Sequence, residues 1–341
     1  MGHEGKRLRN TDQFQQKVVN AMESQAAKLS PPLPDGGTAR QGPVKKELKK
    51  NYDLYIMLIP GFLFFFVFAY IPMFGLLVAF KDYNIFQGVF ASDWNSFQHF
   101  KDMVNMPDFY KIIRNTLMLN LLGLLFGFPA PILLALLLNE VRNKYFKRIS
   151  QSLLYLPHFM SWVVMGGIIY ALLSPKFGVV NQLIQWIGFD PVYFMGSSNW
   201  WVVVYVASGI WAGAGWGTII YLASMTTIDP SLYEAANIDG ASRLKKAMHI
   251  TIPGIMPTIV ILLILEIGNM VSIGFERPFA LMNPVVMDVA DVISTFVYDL
   301  GIMQGSFGLT AAIGMVQSVV NLVLILGANY LARAMGREGL W

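Results

Sequence analysis

The chain has no cysteine in its 341 residues. Disulfides, thiolate metal sites and a cysteine nucleophile are thereby excluded. Histidine is scarce too, four in all, which argues against a histidine-based metal cluster. Charge is the third shortage: Asp, Glu, Lys and Arg make up 13% of the residues, roughly half of the about 25% usual in soluble domains. A G-x-x-x-x-G-K-[ST] phosphate loop is also missing. What abounds is apolar: 55% of residues are hydrophobic and the mean hydropathy is +0.50. A soluble core cannot hide that much apolar surface, whereas a bilayer covers it.

Six stretches are free of Asp, Glu, Lys and Arg and long enough to matter: 54–80, 115–139, 149–175, 191–228, 247–265 and 300–332. Each can hold a spanning helix of about 20 residues. The fifth starts polar and is expected to run on through Glu266 to Phe275. The predicted fold is all-α, a polytopic membrane bundle of six transmembrane helices over 51–341. A shorter run, 177–189, sets Val179, Leu183, Ile184 and Ile187 against Asn181, Gln182 and Gln185, the pattern of an interfacial helix. Nineteen of the 25 basic residues fall in the N-tail and every second loop after it, six in the others. The positive-inside rule then places both termini in the cytoplasm, and segments 81–114, 174–199 and 277–308 outside. Residues 1–50 read as a basic, largely disordered tail, broken by Pro31-Pro32-Leu33-Pro34 and Gly36-Gly37 and lacking the apolar core of a signal peptide. A docking arm for a cytoplasmic subunit is the other reading of this tail. Lys45, Lys46, Lys49 and Lys50 anchor the first span electrostatically.

The cytoplasmic loop 229–257 is both apolar and charged. Asp229 and Pro230 make a helix start, an N-cap acceptor before proline at the first helical position. Leu232, Ala235, Ala236 and Ile238 lie on one side of this helix, with Glu234 and Asp239 on another. Gly240 permits a sharp turn, and 242–249 predicts a second short helix carrying Arg243, Lys245 and Lys246. Pro253 and Pro257 bracket the return to the membrane. Two short helices meeting at a glycine suit a surface that docks into another protein's groove; a pair lying on lipid is the plainer reading.

The run Glu234-Ala235-Ala236, Asp239-Gly240-Ala241, then Ile250, Ile252 and Pro253 resembles the EAA loop of permease subunits of bacterial ATP-binding-cassette importers. Ile252 stands where leucine is usual and Ala247 where phenylalanine is common, so Leu244 and Met248 are expected to supply the apolar docking contacts. Leu156-Pro157-His158-Phe159, Ser161-Trp162-Val163-Val164, Asn139-Glu140, Asn283-Pro284, Asp291-Val292-Ile293 and Gly339-Leu340-Trp341 are similar to the subgroup that imports oligosaccharides and polysaccharides, alginate importers among them. The resemblance implies the type I importer permease fold in the bacterial inner membrane. It implies a second, homologous permease, two cytoplasmic ATPase subunits and an extracytoplasmic solute-binding protein as partners. It implies no cofactor in this chain, since ATP and Mg belong to the ATPases, and no nucleic acid. Glu234 would pair with a basic group of the ATPase and Gly240 would set the bend.

A sugar pathway needs polar groups inside the bundle. Glu266, Asn269 and Ser272 recur at helical spacing in the fifth stretch, as do Gln317 and Asn321 in the sixth. A carboxylate at depth costs at least about 2.5 kcal/mol unless paired or wet. Glu266 therefore either pairs, with Arg277 or another chain, or lines the pathway. Arg277 is the basic group available to an acidic sugar. Trp211 and Trp216 are open to sugar stacking or to plain packing. His158 reads as a buried, hydrogen-bonded histidine, and Gly209, Gly213 and Gly217 as a close helix contact. The aromatics Phe86, Phe90, Trp94, Phe97 and Phe100 form either an interface belt or a contact for a binding protein. A stand-alone secondary transporter or channel is the competing class; it calls for an internal repeat or ion-coupling residues, and neither is evident. A membrane-embedded enzyme needs a metal or nucleophile cluster, which is not apparent either.

Overall fold

The computed structural model describes residues 51–336 together with 339 and 340. The expectations for the tail 1–50 and for Trp341 concern residues outside these. By its contacts the chain divides after Tyr70. Helix α1 (Tyr52–Phe80) begins in the first part, where Tyr52–Phe65 buries none of its side chains.

Helix α2 (Gln98–Asn105) follows a two-residue hairpin, β1 (Lys81–Asp82) antiparallel to β2 (Asp93–Trp94). Then come α3 (Phe109–Glu140), α4 (Lys144–Phe159), α5 (Trp162–Leu173), α6 (Val179–Trp186) and α7 (Ser198–Met225). The second half holds α8 (Pro230–Ile238), α9 (Arg243–Gly254), α10 (Met256–Gly268), α11 (Glu276–Leu281), α12 (Ile293–Met303) and α13 (Phe307–Ala334). Helices α1, α3, α7 and α13 are each long and apolar enough to span a membrane, and counting each of two bent pairs as one span gives six.

The bends revise the third and fifth stretches. Helices α4 and α5 meet at 106°. Asn143 caps α4 by accepting from the Tyr145 and Phe146 amides, and Ser161 caps α5 by accepting from the Val164 amide. Residues 149–159 thus belong to a separate, amphipathic helix. Helix α5 has 12 residues, about 18 Å of rise against about 30 Å of hydrocarbon. Helices α9 and α10 meet at 64°. Helix α10 ends at Gly268 and does not reach Phe275: a Cβ at Gly268 would press on Ile325, and the Asn269 and Met270 amides close tight turns onto Glu266 and Ile267. The sixth span starts at Phe307; Leu300 sits in α12 instead.

Three π turns have one cause. Phe66–Tyr70, Gly123–Gly127 and Ala247–Thr251 each end two residues or fewer before a proline, at Pro72, Pro129 and Pro253. Proline donates no backbone hydrogen bond and its ring crowds the carbonyl four residues back, so the helix widens ahead of it.

The segments between the spans pack as part of the fold. Trp201, Tyr205, Leu281, Val286 and Val292 form the largest buried cluster, and the Trp201 indole donates to the Leu281 carbonyl at 2.8 Å. Asn115 donates to the Asp288 and Asp291 carbonyls, and Thr116 Oγ1 accepts from the Ile293 amide. In α6 the expected polar face is partly inward. Asn181 is buried, accepts from the Val192 amide and donates to the Leu173 and Val192 carbonyls, while Val179, Leu183 and Trp186 stay exposed.

Candidate functional site

A cavity of about 420 Å³ lies between α3, α7 and the broken stretch after α10. The π turn of α3 brings Gly123 and Gly127 to one wall, and Gly209, Gly213 and Gly217 leave a bare strip of α7 on another. Asn120, Tyr221, Glu266, Asn269 and Arg277 supply its polar side chains. Spacing alone put Glu266, Asn269 and Ser272 on one helix face; the helix end at Gly268 leaves Glu266 and Asn269 on the cavity and carries Ser272 away.

Backbone without helical bonds inside a bilayer must find partners or line water. Here three side chains hold it. Asn120 donates to the Met270 and Ser272 carbonyls at 2.8 and 3.2 Å. Gln317 donates to the Val271 carbonyl at 2.7 Å and Asn321 to Ser272 Oγ at 2.6 Å. Ser272, Gln317 and Asn321 therefore tie the break to α13 and are not among the cavity walls. Asn120 is not among the candidates that the sequence suggests, although an asparagine in mid-run between leucines was its signal.

Arg277 does not pair with Glu266: among the described residues the two ion pairs are Lys111–Asp108 and Arg243–Glu140. Its guanidinium lies 3.8 Å from the Tyr205 ring centre and 5.6 Å from that of Trp162, within cation–π range. Gly209 makes the room, since a Cβ there would run into the guanidinium. Tyr205 is fully buried and its hydroxyl has no hydrogen-bond partner, an arrangement that costs about 1–3 kcal/mol when left unmet.

The other aromatic candidates lie elsewhere. Trp211 borders an apolar hollow with Trp200 and Phe194. Trp216 stacks on His158 at 4.7 Å with an interplanar angle of 2°, and Phe159 meets it edge-on. His158 is exposed, so the expectation of a buried histidine is corrected; the Trp216 ring, not a hydrogen bond, holds it.

Loop 229–257 forms a braced hairpin. Asp229 Oδ1 accepts from the Ser231 amide at 2.9 Å, and that bond lowers the carboxyl pKa below its ordinary value. Helix α8 carries Glu234, Ala235 and Ala236 and ends at Asp239. Gly240 turns the chain at φ +70°, and Ser242 caps α9. The expected helix 242–249 is longer, reaching Gly254 through Ile250 and Pro253. Tyr233 bonds the buried Thr251 hydroxyl at 2.9 Å and Lys246 donates to Asn237 at 2.7 Å. Arg243 reaches Glu140 at 3.6 Å, but an exposed pair is worth only about 0–1 kcal/mol, so the Tyr233–Thr251 bond and the turn carry more of the bracing. Ile238, Leu244 and Met248 remain exposed, at 88%, 73% and 55%. Away from this hairpin in sequence, Phe86 and Phe90 are exposed at 98% and 77%. Lys81 is buried there and donates to the Phe90 and Ser92 carbonyls, which fixes the hairpin that presents them.

Residues 127–337 match the model of the family described as binding-protein-dependent transport system inner membrane component. The chain is 45% identical over 294 residues to protein LplB of Bacillus subtilis (strain 168), covering 86% of this chain and 92% of that one. It is 44% identical over 296 residues to the polygalacturonan/rhamnogalacturonan transport system permease protein YteP of the same organism, covering 87% and 92%. Among solved structures it is similar to a chain of a bacterial alginate ABC transporter in complex with an alginate pentasaccharide-bound periplasmic protein, with TM-score 0.79, 42% identity, and coverage of 86% of this chain and 99% of that one.

Proposed function

The chain belongs to the family of binding-protein-dependent transport system inner membrane components, and from that premise we propose that it is the membrane subunit of an ATP-driven importer of oligosaccharides or polysaccharides. Its termini face the cytoplasm, as its basic residues require. It pairs with a second, homologous permease, receives sugar from an extracytoplasmic binding protein and takes its power from two cytoplasmic ATPase subunits. The chain itself binds neither ATP nor Mg.

The observation that carries this reading is the braced hairpin 229–257. Glu234, Ala235 and Ala236 lie on α8, Asp239 and Gly240 make the turn after it, and Leu244 and Met248 are exposed on α9. An apolar, exposed hairpin that cannot fold back on itself moves as a unit when its partner moves. Closure of the ATPase pair then pushes α8 and α9 together, rocking α10 about the 64° bend at Ile255. The saccharide class rests on relatives that carry polygalacturonan, rhamnogalacturonan and alginate in their names. The passage is the cavity of Gly123, Gly213, Glu266 and Asn269, completed by the partner permease.

The test is reconstitution. The chain, co-expressed with its partner permease and ATPase, is purified as one complex and placed in proteoliposomes with binding protein and labelled oligosaccharide. Uptake that needs both ATP and the binding protein is the expected result. Flux by the purified chain alone, driven by a sugar gradient, overturns it.

A further inference from the structure

Arg277 lines two cavities. One is the cavity of Glu266 and Asn269; the other is a hollow of about 320 Å³ walled by Trp162, Tyr205, Gly274, Phe275 and Glu276. The guanidinium therefore stands at the join between them. Two features of its surroundings stand out. First, it has no carboxylate partner among the described residues, although Glu266 and Glu276 border the two cavities. Second, its guanidinium lies beside aromatic rings instead, 3.8 Å from the Tyr205 ring centre and 5.6 Å from that of Trp162. A cation held by aromatic rings and not by a carboxylate, on the wall of a hollow, calls for a ligand with oxygen acceptors.

We propose that this hollow is a uronate subsite, in which Arg277 grips the carboxylate of an acidic sugar unit and Trp162 covers its C–H face. This rests on the importer reading above and narrows it to acidic oligosaccharides. Planar guanidinium and planar carboxylate match through two parallel hydrogen bonds, a contact that a neutral hexose cannot make. The charge balance sharpens the choice. The two cavities offer two carboxylates and one cation, so an acidic sugar is repelled unless it engages Arg277 directly. Gly209 gives the guanidinium its place, and the break after Gly268 brings Arg277 back into the bundle.

The experiment uses the full complex in proteoliposomes with two probes of equal length and linkage, trigalacturonate and its carboxyl-reduced neutral counterpart. The readout is the ratio of their uptake rates. In Arg277→Gln the acidic-to-neutral ratio falls by about tenfold or more, the size of one lost charge-assisted hydrogen bond, and Arg277→Lys restores part of it. An unchanged ratio in Arg277→Gln overturns the subsite, as does an equal fall for both probes, which would make Arg277 a purely structural group. If Arg277→Gln fails to assemble, Arg277→Lys decides. It keeps the charge and removes the planar fork; a lowered ratio upholds the proposal and an unchanged one overturns it. Wild-type complex that takes up neither probe contradicts the saccharide reading itself, and that outcome is visible before any variant is made.

Discussion

At Gly215 a single hydrogen in place of a methyl decides whether two helices can cross. A Cβ there would run into the Leu154 carbonyl oxygen, which is backbone and cannot swing away. Two positions earlier, at Gly213, a Cβ meets nothing within 4 Å. Gly215→Ala is therefore expected to destabilise the purified complex by about 1–3 kcal/mol, while Gly213→Ala leaves its melting temperature unchanged; thermal unfolding in detergent distinguishes them. The sequence spacing singled out Gly209, Gly213 and Gly217 and missed Gly215, because periodicity finds a face but not the depth of the neighbour on it. The sequence offered Arg277 as a basic group for an acidic sugar, and the fold sets it on the cavity wall. Its aromatic partners were not legible, since Tyr205 and Trp162 lie on other helices. Asp291 gives a pH prediction at the same scale. Burial raises its carboxyl pKa, with the Thr295 hydrogen bond opposing. A carboxyl raised in the folded state binds more protons there than when unfolded, so stability falls as pH rises through that window. Melting temperature is therefore expected to rise on acidifying from neutral towards about pH 4, and Asp291→Asn to flatten that rise.

Elements were easier to read than their ends. Six charge-free stretches correspond to four unbroken helices and two bent pairs, because the count registers cost in lipid and is blind to backbone breaks. The signals for the breaks were present locally: Asn143 and Ser161 as caps, and Pro157 and Pro253 as interruptions. The hairpin 229–257 was the most legible element. Its cap, its proline and its glycine are neighbours in sequence, so short-range chemistry fixes it. Ser272 was grouped on one face with Glu266 and Asn269 because helical periodicity was carried past the end of α10 at Gly268. The hairpin makes a prediction at its own scale. At φ +70° a β-branched residue is strained, whereas asparagine is better tolerated. Gly240→Val is expected to lower ATP-driven uptake by about tenfold or more and Gly240→Asn by much less, with membrane insertion equal in both. Equal uptake in the two variants would remove the turn from the coupling path.

For the whole molecule the arrangement is a passage half-built and a lever attached to it. The glycine strip of α7, the π turn of α3 and the broken segment after α10 shape a polar cavity in an otherwise apolar bundle. The lever is the hairpin 229–257, continuous with α10 and hence with Glu266 and Asn269 at that helix's far end. The central claim is that an ATPase subunit seats on this lever. The chain contains no cysteine, so Leu244→Cys creates a unique handle on its exposed apolar side. In the assembled complex, a single-cysteine chain carrying that substitution should cross-link to the ATPase subunit, with a yield that changes when ATP is bound. Absence of that cross-link in a complex that still transports, together with labelling of the same cysteine by a membrane-impermeant reagent added from outside, would contradict the account.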